Sequence, residues 1–238
     1  MNSGEDMTPR KHSTRRIKRK QQATAAIELT GRYRLSTAST VASLRKDLFP
    51  NEDIASQVLM ELCREHILYE ATLYADKNCY ILAPASNVQA ALSENSKLRA
   101  YAMLAVCATR KHNRTRLTSA EFQKYFPDLC RPGLPMNYYV DLTAPQPVMG
   151  FIRVDTGGQS RWDRIVAKAQ DDARKHRLEP AYERFIQRNA FEIRITTPLP
   201  QKADRIRRAI ADKPNPIELP IKVSVVPELL NLIAPLPS

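Results

Sequence analysis

The chain has few of the residues from which several common active sites are built. Its four histidines, His12, His66, His112 and His176, are widely separated, so neither a His-rich relaxase-type metal triad nor histidine-centred catalysis has support. No G-x-x-x-x-G-K-[ST] phosphate loop and no G-x-S-x-G nucleophile elbow occurs. The four cysteines, Cys63, Cys79, Cys107 and Cys130, lie in unlike contexts without paired spacing, which fits reduced, packed thiols and not a disulfide framework. Cys63 and His66 form a C-x-x-H at the end of an amphipathic segment, where ordinary packing is expected in place of a metal site. No apolar run approaches the roughly 18 residues of a membrane span, and the N-terminus lacks the apolar core of a signal peptide. The expectation is a cytoplasmic protein with no membrane partner.

Negative charge is also scarce. There are 25 Asp and Glu against 37 Lys and Arg, a net charge of +12 and a pI near 9.7. That balance suits a polyanionic partner, with nucleic acid the first expectation.

D-T-G occurs once, at residues 155–157. An aspartic protease needs two such loops facing each other so that paired carboxylates share a proton, and its loop continues into apolar strand. Here GQSRWDR turns at once into a charged segment, which argues against that chemistry.

The basic residues are distributed unevenly. Seven Lys or Arg fall between Arg10 and Lys20, namely Arg10, Lys11, Arg15, Arg16, Lys18, Arg19 and Lys20. Residues 1–22 therefore read as a disordered basic arm that neutralises phosphates. From residue 23 to 84 the order is three helices and a hairpin: ATAAIELTGRY, STASTVASLRKDLF capped at Ser36 or Thr37, a helix opened by Pro50 and Asn51, then ILYEATLY, a turn and CYILAP. Ala55, Val58, Leu59 and Leu62 form the apolar stripe of the third helix. This is the order of a winged helix, in which the third helix enters the major groove. Its exposed face would offer Gln57 and Arg64 to DNA, against the opposing charges of Glu52, Asp53, Glu61 and Glu65.

Residues 85–97 read as a linker, and 98–238 as a second domain. A helical stripe from Leu98 leads to a basic loop, Arg110, Lys111, Arg114 and Arg116, expected to contact phosphate. Residues 137–142 and 148–156 should pair as antiparallel strands, followed by a helix with Trp162, Ile165, Val166 and Ala169 inward and Arg164 and Lys168 outward. A further helix follows, then a strand at 191–196, a basic helix with Arg205 and Arg208 outward, and an alternating final strand near 217–225. The fold class is α+β: an N-terminal winged helix, then a mixed sheet flanked by helices.

A metal-dependent nuclease of the restriction-endonuclease type would need acidic residues on neighbouring strands to hold Mg²⁺. Asp155 and Asp141 are the candidate metal ligands, with Glu192 as a further candidate that points away from the apolar face of its strand. The alternative is a surface ion pair, Arg153 with Asp155 or Glu192 with Arg194.

The stretches VDTGGQSRWDRIVAKAQDDA and FEIRITTPLPQKADRIRRAI, behind a winged-helix-like start, resemble the plasmid replication-relaxation family and MobC-type mobilisation proteins. The resemblance implies a winged helix joined to a restriction-endonuclease-like domain across roughly residues 23–226. Asp155 and Lys168 are the positions that carry over. The family's P-D and E-x-D positions are occupied here by Pro135-Met136 and Arg153-x-Asp155. The resemblance implies a protein of a plasmid or integrative conjugative element acting on double-stranded DNA in mobilisation, relaxation or replication, and the two departures from the family's acidic positions make the expectation an accessory or regulatory protein without its own catalysis or cofactor. A Mg²⁺-dependent relaxase or nickase, and a protein-docking factor that recruits a relaxase, relaxosome or partition complex, are the alternatives. A homodimer is compatible with each.

Overall fold

The computed structural model describes residues 9–74, 77–82, 92–109, 113–129, 137–143, 145–155, 162–212 and 219–230. The chain divides into two compact units: residues 1–71 with 78–88, and residues 72–77 with 89–238. The whole is α+β, with helices in both units.

The first unit contains α1 (Pro9–Tyr33), α2 (Ala38–Leu44) and α3 (Glu52–Arg64), followed by most of the paired strands β1 (Leu68–Tyr74) and β2 (Lys77–Leu82). The disordered arm expected over residues 1–22 is corrected from Pro9 onward, because α1 continues back through the basic run. Arg, Lys and Gln are good helix formers, and this local preference extends the helix that burial of Ala25, Ala26 and Tyr33 anchors. Thr37 caps α2 in a reciprocal box with Thr40, and the Asn51 side chain accepts the Ile54 amide at 3.0 Å to start α3. Ala55, Val58, Leu59 and Leu62, the stripe read from spacing, are the buried residues of α3.

The C-x-x-H at the end of α3 is a helix terminus. His66 takes φ 57°, its amide donates to Cys63 O and the Ile67 amide donates to Leu62 O, the paired bonds of a Schellman cap. A single bridge, Ser36 with Tyr80, ties the turn after α1 to β2.

The second unit is built on a five-stranded sheet in the order β3-β4-β5-β6-β7, from Arg114–Arg116, Tyr138–Asp141, Val148–Val154, Phe191–Thr197 and Ile221–Val225. The pairs β3–β4 and β4–β5 are antiparallel, the second as expected, and β5, β6 and β7 run parallel. α4 (Glu94–Cys107) and α5 (Ser119–Tyr125) precede β4. α6 (Trp162–Leu178) and α7 (Pro180–Gln187) connect β5 to β6, and α8 (Pro200–Asp212) connects β6 to β7.

One face of the sheet supplies Tyr138, Met149, Phe151, Phe191, Ile193 and Ile195 to a core shared with Ile165, Val166, Tyr182, Ile186 and Ile206 of the three crossover helices. Each such large side chain contributes about 1.5–3 kcal/mol on burial. β6 is buried at all seven positions, Phe191 to Thr197. Its alternation therefore does not separate a wet face from a dry one, and the polar residues Glu192 and Arg194 are interior.

Candidate functional site

Register fixes where the expected acidic residues fall. Asp141 ends β4 opposite Val148, the first residue of β5, whereas Asp155 follows Val154, the last. Seven residues of strand, roughly 23 Å at about 3.3 Å per residue, separate those two levels of the sheet. Glu192 lies beside Gly150, five residues below Asp155 and roughly 16 Å from its level by the same rise. The shared metal site on Asp141 and Asp155 is thus overturned, and the grouping of Asp141, Asp155 and Glu192 does not form. Among the described residues no group of three or more His, Cys, Asp or Glu is placed to hold a metal ion.

Each carboxylate instead meets a cation. Asp141 Oδ2 accepts from Arg114 Nε at 2.7 Å and Asp141 Oδ1 accepts the Thr143 amide at 3.0 Å. Burial pushes the Asp141 carboxyl up, but the bonds from Thr143 and Arg114 outweigh it and hold the group below its usual range. Asp155, 2% exposed, accepts from Thr197 Oγ1 and from Lys202 Nζ, both at 2.8 Å. Lys202 on the first turn of α8 therefore takes the place expected for Lys168, which is exposed on α6 away from that helix's buried side. Sequence reasoning misses Lys202 because it is 47 residues from its partner, and only its position just after the strand-ending Thr196-Thr197 hints at the end of the sheet.

Glu192 sits deepest in charge. It accepts from Tyr139 Oη, from Arg194 and, at 2.6 Å, from Lys222 Nζ. Burial raises its carboxyl, and Arg194, Lys222 and Tyr139 together bring it below the usual value. Arg194 also donates to Tyr139 Oη and to Ser224 Oγ, each at 2.8 Å. Its side chain is 8% exposed, so the Glu192–Arg194 surface pair is corrected to a buried one. The Arg153–Asp155 pair is corrected as well, since Arg153 Nε donates to Asp172 of α6. A carboxylate already neutralised by two cations is a poor ligand for Mg²⁺.

The basic residues divide into buried and exposed sets. Arg114 and Arg116, expected in a phosphate-binding loop, are 7% and 3% exposed on β3, so those two assignments are corrected. Arg110 and Lys111 lie outside the described residues. Arg15, Arg16, Lys18 and Lys20 are exposed along α1, while the side chains of Arg10 and Lys11 fall outside the described set. Arg164 on α6 and Arg205 and Arg208 on α8 are exposed.

α1 and α3 bring basic and acidic residues together. Arg19 Nε donates to Glu61 Oε2 at 2.9 Å, and a groove of about 340 Å³ beside this pair is lined by Arg16, Lys20, Val58, Leu62 and Glu65 among others. Gln57 and Arg64 are exposed on α3, with Met60 43% exposed between them. In a half-exposed pair of this kind the net stabilisation is small, at most about 1 kcal/mol, but the charge of Glu61 is locally offset.

No protein-family model, no curated protein and no solved structure matches the chain.

Proposed function

We propose that the chain is a DNA-binding accessory or regulatory protein of a mobile genetic element, without catalysis of its own. The observation that carries the reading is the Arg19–Glu61 contact. It sets the basic run of α1 alongside α3, the candidate recognition helix of a winged-helix unit. The acidic residues of α3 otherwise oppose groove binding, and Arg19 offsets one of them. In this reading Arg15, Arg16, Lys18 and Lys20, all exposed, take backbone phosphates, and the exposed Gln57 and Arg64 read base edges.

The second unit is read as a restriction-endonuclease-like scaffold whose carboxylates are engaged by Arg114, Arg194, Lys202 and Lys222, which supports binding without strand cleavage. Arg164, Arg205 and Arg208 extend the basic surface of that unit.

The test is incubation with supercoiled plasmid carrying the origin of the element that encodes the protein, with Mg²⁺ or Mn²⁺. The expected outcome is a retarded but uncut plasmid. Nicking that disappears in Asp155→Asn while the variant still binds would replace this reading with a metal-dependent nickase.

A further inference from the structure

We propose that the N-terminal half of α1, residues 9–21, is a binding helix for the phosphate backbone of duplex nucleic acid whose helicity depends on that binding. The proposal rests on the DNA-binding reading above and adds how the same surface is ordered.

By composition α1 is two segments in one helix. The C-terminal segment buries Gln22, Ala25, Ala26, Thr30 and Tyr33. The N-terminal segment has no acidic residue, and its one aliphatic side chain, Ile17, is 57% exposed. Apolar burial therefore contributes little to holding it in place.

Its charges oppose the helix. Arg15 meets Lys18 and Arg19 at three and four residues' distance, and Arg16 meets Arg19 and Lys20 in the same way, all like-charged neighbours on the helix surface. The first turn carries no acid, so basic charge stands at the positive end of the helix dipole. Among the described ion pairs of these residues, one carboxylate, Glu61, answers one of them, Arg19.

The geometry indicates what would reverse this. At about 100° per residue, Arg15 and Arg19 continue the angular stripe of Ala26, Thr30 and Tyr33, so the packed face of α1 becomes a charged face toward its N-terminus. Arg16 and Lys20 flank that stripe. A row of phosphates against it removes the like-charge repulsion and supplies the missing anions at the dipole. A membrane surface is disfavoured as the partner, because a helix lying in a lipid interface needs an apolar face and Ile17 alone does not make one.

Hydrogen exchange on the full chain tests this, with duplex binding followed by fluorescence anisotropy in the same samples. At about 50 mM salt the free chain should exchange residues 9–21 at least about tenfold faster than residues 22–33. A duplex of about 20 base pairs should slow residues 9–21 by about tenfold or more, and about 0.5 M salt alone should slow them in part by screening. The double variant Arg15→Glu, Arg16→Glu puts opposite charges four residues before Arg19 and Lys20, and should protect the segment at low salt without any duplex.

Equal protection of the two segments in the free chain at low salt overturns the proposal. So does duplex binding that leaves residues 9–21 unchanged, in which case the DNA-binding reading survives. Protection by phosphatidylserine vesicles but not by duplex overturns the assigned partner. Failure of the duplex to bind at all overturns the DNA-binding reading itself.

Discussion

At the scale of single residues, the best-defined point is the stacking of Tyr139 on Gly150. The two are register partners on β4 and β5, and a Cβ at position 150 would lie 2.0 Å from Tyr139 Cζ. Glycine is required there by close approach of a ring, not by backbone conformation. The guanidinium groups of Arg114 and Arg194 lie 5.8 and 5.9 Å from the ring centroid, and the ring's hydroxyl donates to Glu192. Burial first, then the neighbouring Glu192 charge, raises the Tyr139 hydroxyl well above its ordinary pKa, so it serves as a neutral donor. Gly150→Ala should push the ring off this seat and lower stability by about 1–3 kcal/mol, read as a shift of the denaturant midpoint with unchanged slope. A midpoint within error of the parent protein would contradict the packing described.

At the scale of elements, His176 ties α6 to its neighbours. It is packed against Tyr138 of β4, Phe151 of β5, Tyr182 of α7 and Phe191 of β6. His176 Nδ1 lies 2.7 Å from Asp172 O, which assigns the proton to that nitrogen, and Nε2 then accepts from Tyr138 Oη at 2.8 Å. Tyr182 Oη donates in turn to Tyr138 Oη at 3.1 Å. Burial lowers the His176 pKa below its ordinary value, outweighing the help of Asp172 and Glu179. The unfolded chain therefore binds this proton more readily than the native one. Stability should be intact above about pH 6.5 and should fall as pH drops below it toward the lowered native value, by at most about 1.4 kcal/mol per pH unit from this group. Urea melts of the parent protein and His176→Gln at about pH 7.5, 6.5 and 5.5 check this. The variant should lose the part of the decline that belongs to the histidine, and an identical decline in both proteins would contradict it.

Elements with a clear period are legible in the sequence. The α3 stripe and the β4–β5 pairing follow from spacing alone, since one face of each is covered by its immediate neighbours. β3 is not legible, because three residues, two of them arginine, are too few to carry a period. Glu192 reads as outward-facing because alternation cannot report that a central strand is covered on both sides. The N-terminal half of α1 reads as an arm because it buries little, whereas propensity carries the helix through it at a cost. Its four like-charged neighbour pairs among Arg15, Arg16, Lys18, Arg19 and Lys20 oppose it by about 0.2–0.5 kcal/mol each. Of the candidate site, sequence identifies the acidic residues but not their partners. Lys202, Arg114 and Lys222 come from elements distant in sequence, and only the fold brings them to Asp155, Asp141 and Glu192.

At the scale of the whole molecule, the excess of positive charge and its location support the proposed activity together. The net charge of +12 stands alongside buried and half-buried carboxylates paired with Arg114, Arg194 and Lys202, while other Lys and Arg are exposed on α1, α6 and α8. The measurement that tests the account most directly is the affinity for a duplex over a range of salt concentrations, for the parent protein and for Arg15→Ala, Arg16→Ala, Lys18→Ala and Lys20→Ala combined. Tight binding at low salt and a steep linear fall of log K with log salt are expected. In the variant the slope should be shallower by about 0.9 for each phosphate that is no longer neutralised. Absence of binding, or a variant with the parent's affinity and slope, would contradict it.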